Sequence, residues 1–327
     1  MKKIFLFLLI LLCFSNTQAL KLVSIGDSIP NGYLLEDENE SYDNMFAKTL
    51  NMVFYEHSYI GMTTKDLLVD LSDEKLIKNI KEADLIFLNV GPNDLLDLIT
   101  ESDYDFSISG DNLVNEANAL INYVYSDLEM RIPIVRSRFI ENWPQIINTI
   151  KKYNPNAKIY VNNIYNPYFG LIIPIKGVDI SKLFNLFEET IVSFNEIISG
   201  YDDYEIIDVY SILRKGKYLN INLLERNFDP HPNREGHQRI YEEYLKQLCY
   251  KVTYQDQIYY VLKGGKLDIE PAHKSFYLFK KWNHDINHIT SDVELKEIYI
   301  INYKILYYLV PLVIIIIFIF IKIKNRH

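Results

Sequence analysis

The chain has 327 residues, 49% of them apolar and 24% charged, and a formal net charge of −9. This length and balance supply ample material for a buried core, while the acidic balance and the lack of a basic face in the central region exclude a nucleic-acid partner. The only cysteines are Cys13 and Cys249, and Cys13 falls in an N-terminal apolar segment, so neither an intramolecular disulfide nor a cysteine-based zinc site can form. The first element is Met1-Lys2-Lys3 followed by the apolar run Ile4–Phe14 and the polar Ser15–Ala19. A basic start, a short apolar run and a small-residue exit predict a signal peptide over residues 1–19.

The run Leu22, Val23 and Ile25 then reads as a buried strand that stops at Gly26-Asp27-Ser28, leaving a serine hydroxyl at the strand's C-terminal edge. In open α/β sheets that edge is where ligands bind. A helix is predicted over Tyr42–Leu50 and a second strand over Met52–His57. Gly61 follows, with Thr63 or Thr64 placed to cap another helix. Asp84–Val90 predicts a third strand, which runs into Gly91-Pro92-Asn93-Asp94. Residues 101–132 read as a mixed loop and helix insertion, Phe139–Tyr153 as a helix, and Ala157–Asn162 as a fourth strand. Pro167–Gly177 is an apolar loop placed to border a cleft, and a helix over Ile180–Ser199 and a strand over Tyr204–Val209 complete the alternation. Strands alternating with helices at this spacing predict a three-layer α/β/α domain over residues 20–250, built on a mainly parallel, flavodoxin-like sheet.

The last polar block is Asp229-Pro230-His231-Pro232, a histidine pinned between prolines with an acid two positions earlier. A helix from about Gln238 to Tyr250 follows, with His237 packing or capping at its start. Residues 251–300 are read as a juxtamembrane segment. His284 and His288 stand at helical spacing there, a spacing that could hold a metal in principle, and a solvated helix over Lys274–Lys296 is the reading preferred to a metal site. The uncharged Ile305–Ile321 stretch ends on Lys322, Lys324, Arg326 and His327. It predicts a transmembrane helix over residues 301–323 and a basic cytoplasmic tail over 324–327, with the catalytic domain outside the cell membrane.

Taken in chain order, Gly26-Asp27-Ser28, Gly61, Gly91-Pro92-Asn93-Asp94 and Asp229-Pro230-His231-Pro232 resemble the four blocks of the SGNH (GDSL-type) hydrolase family. The wording around Ser28, Gly61 and Asn93 is closest to its lysophospholipase-like bacterial branch, and the resemblance runs from about Leu22 to Cys249. The Gly-x-Ser-x-Gly elbow of α/β-hydrolases is absent around Ser28. The resemblance implies a serine esterase or lipase acting on a small ester or lipid through an acyl-enzyme, without metal or cofactor. Ser28 is then the nucleophile, His231 its base, and the Ser28 N–H, Gly61 N–H and Asn93 amide the oxyanion hole. The family places its acid three positions before the histidine. Here Phe228 holds that place and Asp229 stands two before, so either a bulged loop lets Asp229 serve or a Ser-His pair works alone. Other readings are an O-acetyl esterase of cell-wall or surface glycans, an acyltransferase, and a non-catalytic surface binding protein on a hydrolase scaffold.

Overall fold

Short apolar runs become strands wherever both of their faces are covered. In the computed structural model, whose described residues are 19–100, 112–170, 176–216, 221 and 229–324, these strands are β1 (Lys21–Gly26), β2 (Val53–Ser58), β3 (Leu85–Asn89), β4 (Lys158–Asn162) and β5 (Glu205–Ile207). They form one sheet in the order β2-β1-β3-β4-β5, every neighbouring pair parallel. The helices are α1 (Tyr42–Thr49), α2 (Thr64–Asp70), α3 (Glu74–Glu82), α4 (Pro92–Thr100), α5 (Leu113–Tyr153), α6 (Ser181–Ile198), α7 (Val209–Gly216) and α8 (Arg234–Leu248).

Alternation along each strand divides the core between the two faces. Val23 and Ile25 of β1, Ile86 and Leu88 of β3 and Ile159 and Val161 of β4 join Leu67, Ile80, Phe139, Trp143 and Phe194 in one large cluster. The intervening Phe87 packs the other way, 4.1 Å from Tyr244 of α8 and 5.1 Å from Phe46 of α1 between ring centroids. Helices thus cover both sides of a parallel sheet, the predicted three-layer arrangement. The order reverses between β1 and β3, and crevices at such switch points are the binding places of open α/β sheets.

Two elements differ from expectation. The helix of the insertion read over 101–132 runs without a break into the one expected over Phe139–Tyr153, as the 41-residue α5 with Pro133 and Pro144 in its interior, while 101–111 lie outside the described residues. Helix α3 was hidden in a polar sequence, yet its Leu76 and Ile80 are buried one turn apart and Asp73 caps its first turn through Leu76 N.

The chain divides into two units, Met1–Gln247 and Leu248–His327. In the second, β6 (Cys249–Tyr254) and β7 (Gln257–Leu262) form a hairpin whose turn residues Gln255 and Asp256 both have positive φ, as tight hairpin turns require. Strand β8 (Tyr277–Trp282) precedes β9 (Val293–Glu294), which joins β6 in parallel, and β10 (Glu297–Ile301), which pairs antiparallel with β8. Val252, Tyr254, Val261, Leu267, Ile289 and Leu295 make a small core of their own. The expected solvated helix over Lys274–Lys296 is therefore replaced by strands and turns. His288 hydrogen-bonds the Gly264 carbonyl at 3.1 Å.

The transmembrane expectation is also overturned. Tyr299–Ile301 belongs to β10 and Tyr303–Ile305 is a 3-10 turn, so the final helix α9 covers only Leu306–Lys324. From Leu306 to Ile321, before Lys322, such a helix rises about 24 Å, short of the ~30 Å hydrocarbon core of a bilayer. Among the described residues, no helix is long and apolar enough to cross a membrane. The single-pass placement, with an outer catalytic domain and a cytoplasmic tail, falls with it. The signal-peptide reading concerns residues 1–19, of which 1–18 lie outside the described residues.

Candidate active site

β1 ends where its backbone meets that of β3. The Asp27 N–H donates to the Asn89 carbonyl at 3.1 Å. A Cβ at Gly26 would stand 2.3 Å from that same oxygen and 2.8 Å from Pro30 Cγ, so the close approach admits only glycine. The chain then turns at once, with the Tyr33 N–H donating to the Ser28 carbonyl at 3.0 Å. Ser28 is left at the sheet edge, 4% exposed.

Asp27 beside it is buried. Its Oδ1 accepts from the Ile29 N–H and from Asn89 Nδ2, both at 2.9 Å. Burial raises its carboxyl to about 7 against those stabilising bonds, and Oδ2 has no hydrogen-bond partner among the described residues. Asp94 has a similar structural place. It accepts from the Thr64 N–H at 2.9 Å and the Thr64 hydroxyl at 2.5 Å, and burial raises it to about 6. That contact ties the start of α4 to the start of α2, whose Thr63 and Asp66 form a capping box.

Ser28 Oγ lies 2.7 Å from His231 Nε2. His231 Nδ1 lies 2.8 Å from Asp229 Oδ1, and that oxygen also accepts from the His231 backbone N–H at 2.8 Å. The short turn made by the second bond is what lets an acid two positions before the histidine reach its ring. The offset from the family pattern is thereby absorbed within one residue pair. The ring is held further by the edge of Tyr33, 4.8 Å away between centroids.

Tyr165 is a member of the site that the sequence reading missed. Its hydroxyl donates to the Pro230 carbonyl at 2.5 Å, inside the Asp229–His231 turn. Burial, with the Asp27 and Asp229 charges, pushes its pKa well above 10, so it remains a donor. Asn195 of α6 fixes the preceding residue, exchanging hydrogen bonds of 2.8 Å with both the N–H and the carbonyl of Ile164. Its signal lay in the same rule that exposed Ser28 and Asn93, since Tyr165 stands just beyond the end of β4.

Asn93 sits in the first turn of α4, after Pro92 at the position where a missing N–H costs nothing. Its side chain is nearly buried, and Nδ2 donates to the Met62 carbonyl at 3.0 Å. A carboxamide has a second N–H, so this bond orients the group without exhausting it. Gly61 lies on the loop that carries Met62, exposed and with φ +85°. It is not among the residues lining the cleft that contains Ser28, Asn93 and His231. Beside the polar groups that cleft is walled by Leu95, Leu96, Ile164, Phe187 and Ile191. Of the apolar loop expected to border it, Pro167 takes part, while 171–175 lie outside the described residues. His237, set at the start of α8, is buried and accepts from the Tyr42 N–H at 3.3 Å. Burial, with a smaller contribution from the His231 charge, lowers its pKa to about 3, so it is a neutral packing group.

Known proteins share the family and the fold of this chain. Uncharacterized protein YpmR of Bacillus subtilis (strain 168) is 22% identical over 240 residues, covering 68% of this chain and 77% of that protein. Two solved structures share the fold at 17% identity and a TM-score of 0.51, covering 70% of this chain and 99% of theirs. They are an extracellular lipase from Streptomyces rimosus and phospholipase A1 from Streptomyces albidoflavus NA297. The family model of the GDSL-like lipases and acylhydrolases matches residues 24–239, a span that holds Ser28, Gly61, Asn93, Asp229 and His231. The chain therefore belongs to the GDSL-like lipase/acylhydrolase family and is a carboxylic ester hydrolase.

Proposed function

We propose that Ser28, His231 and Asp229 act as nucleophile, general base and orienting acid in the hydrolysis of a carboxylic ester whose acyl part is apolar. The observation that carries this reading is the unbroken chain of contacts, 2.7 Å from Ser28 Oγ to His231 and 2.8 Å from His231 to Asp229. Ser28 Oγ attacks the ester carbonyl carbon as its proton passes to His231 Nε2. Asp229 holds the other ring nitrogen as the hydrogen-bond donor and stabilises the imidazolium that forms. The oxyanion is assigned to the Ser28 N–H, the second N–H of Asn93 and the Gly61 N–H, at the positive end of α4. Collapse of the tetrahedral intermediate breaks the bond to the alcohol oxygen, which takes the proton from Nε2. A water molecule then repeats the sequence on the acyl-enzyme and frees the acid.

The aliphatic and aromatic walls of the cleft favour an acyl chain over a polar sugar as the group bound beside Ser28. The names of the two Streptomyces proteins, a lipase and a phospholipase A1, support a lipid ester as the substrate, and lysophospholipid or other acyl esters are the class assigned here. The test is hydrolysis of p-nitrophenyl butanoate by the full chain beside Ser28→Ala, with mass spectrometry of the protein after rapid quenching. The expected result is turnover lost in the variant and an acyl adduct on the peptide containing Ser28. Turnover that survives in Ser28→Ala would overturn the assignment.

A further inference from the structure

One peptide group in the site is held from both sides. The Pro230 carbonyl accepts from the Tyr165 hydroxyl at 2.5 Å, and the N–H of the same peptide, that of His231, donates to Asp229 Oδ1 at 2.8 Å. Asp229 Oδ1 is also the oxygen 2.8 Å from His231 Nδ1. The tyrosine, the peptide, the carboxylate and the imidazole thus form one hydrogen-bonded series. A donor on the carbonyl makes the N–H at the other end of the peptide a stronger donor.

The sequence leaves this peptide as the loose point of the turn. Proline fixes φ of residue 230, and the proline after His231 biases that residue toward extended backbone. Rotation of the peptide between Pro230 and His231, through ψ of Pro230, is the motion left open. An acid two positions before the histidine is aimed at the ring through the His231 N–H, so a turned peptide would release the acid as well.

Tyr165 stands where it can prevent that rotation. Its side chain is buried, and the residues around it are tied to the helices beyond β4 and β5. Asn163 donates to Asp208 at 2.9 Å and accepts from the Tyr210 N–H of α7 at 2.7 Å. Asn195 of α6 brackets the Ile164 backbone, and Asn166 donates to Glu188 of α6 at 2.7 Å. The hydroxyl is therefore presented from a braced segment at the sheet edge. Packing alone has no use for it, since a phenylalanine would supply the same wall to the cleft.

We infer that Tyr165 is a positioning residue of the reaction, which acts through the Pro230–His231 peptide to hold Asp229 on His231 Nδ1. This inference rests on the esterase reading for the use made of the Asp229–His231 pair. Tyr165 itself makes and breaks no bond to the substrate.

The experiment compares the full chain carrying Tyr165→Phe with wild type, with Asp229→Ala and with the double variant. Steady-state kinetics on p-nitrophenyl butanoate are measured for each, with circular dichroism to establish folding. Loss of one hydrogen bond of this kind is expected to lower kcat about tenfold and to leave KM within about twofold. Without the carboxylate the peptide has nothing to aim, so in Asp229→Ala protein the same change should cost less than about twofold. A second readout needs no turnover. In Ser28→Ala protein the His231 Nδ1 proton, shared with Asp229, gives a far-downfield NMR signal, which Tyr165→Phe should move upfield and expose to faster exchange with water. Asn195→Ala frees the Ile164 backbone and keeps the hydroxyl, and should move the signal the same way even if Tyr165→Phe fails to fold. A wild-type kcat in Tyr165→Phe, a loss that multiplies in full with Asp229→Ala, or a proton signal that neither change moves would overturn the inference. Turnover that persists in Ser28→Ala would instead sink the esterase reading, and the proton signal would still decide whether Tyr165 holds the acid.

Discussion

Asp229→Asn removes one charge from the site and almost nothing of its shape. The Asp229 carboxylate stands 2.8 Å from His231 Nδ1, and the two side chains are only 21% and 16% exposed, so water screens the contact weakly. Opposite unit charges with centres about 4 Å apart attract by about 4 kcal/mol at an effective dielectric near 20, the range suited to partly shielded pairs. If that attraction is made only when the imidazolium forms, its loss lowers kcat about a thousandfold. The asparagine carbonyl could still accept from the ring or from the His231 backbone N–H. A role limited to orientation by a neutral hydrogen bond would therefore cost only about 1 kcal/mol, or about fivefold. Steady-state kinetics on p-nitrophenyl butanoate at neutral pH separate these cases, with circular dichroism to establish that the variant is folded. The expected result is kcat down about a thousandfold with KM changed by no more than about threefold, the pattern of an interaction made in the transition state. A folded variant within tenfold of wild-type kcat would refute the acid's role and leave a serine-histidine pair.

Other consequences are equally concrete. Asn93→Ala should lower kcat by about a hundredfold to a thousandfold through loss of an oxyanion donor, with unchanged KM for the ester; a kcat within fivefold of wild type would remove Asn93 from that role. Gly26→Ala should destabilise the protein by roughly 3 kcal/mol in urea unfolding, because its Cβ would collide with the Asn89 carbonyl rather than with a movable side chain. Asp27 supplies a pH signature. Its folded-state pKa of about 7 lies above the ordinary 3.8, so its contribution is fully present below that lower value and is lost as pH rises through about 7. Asp27→Asn should therefore gain roughly 2–4 kcal/mol relative to wild type at pH 8, with the difference gone by pH 4. Urea midpoints measured across that range check the sign, and a difference that grows toward acid would contradict it.

Much of the site was legible because parallel strands announce themselves. A strand buried on both faces reads as an unbroken apolar run, and its end is marked by the first glycine and polar residue. Ser28 and Asn93 follow β1 and β3, neighbours at the point where the strand order reverses, so two local signals fall into one crevice. His231 was legible for a different reason, the stiffness of a loop held by prolines on both sides. The second unit was misread because His284 and His288 suggest a helix by spacing alone, while the strands around them are fixed by pairings such as Lys251–Tyr260 and Tyr299–Phe279. The final apolar run was misjudged because hydropathy counts residues without regard to backbone, and its first part is spent on β10 and a 3-10 turn.

What no local signal contains is the support beneath the nucleophile. Tyr244 of α8 donates to Asn162 Oδ1 at 2.7 Å, Asn162 Nδ2 donates to Asn89 Oδ1 at 2.9 Å, and Asn89 Nδ2 donates to Asp27 Oδ1 at 2.9 Å. Every donor in this buried series points toward Asp27, so each bond polarises the next in the sense that favours the carboxylate. Burial still prevails, since the carboxyl remains raised to about 7. The residues lie on α8, β4, β3 and the loop after β1, and each link joins positions at least 62 apart in sequence. Tyr244, Asn162 and Asn89, read alone, are unremarked polar residues at a strand end or in a helix. Only the strand order β1-β3-β4, with α8 packed across it, turns them into a brace that fixes the backbone immediately before Ser28. The asparagines at the ends of β3 and β4 therefore have a reason to be amides: a single carboxamide can accept from one neighbour and donate to the next, which neither a carboxylate nor an aliphatic side chain can do.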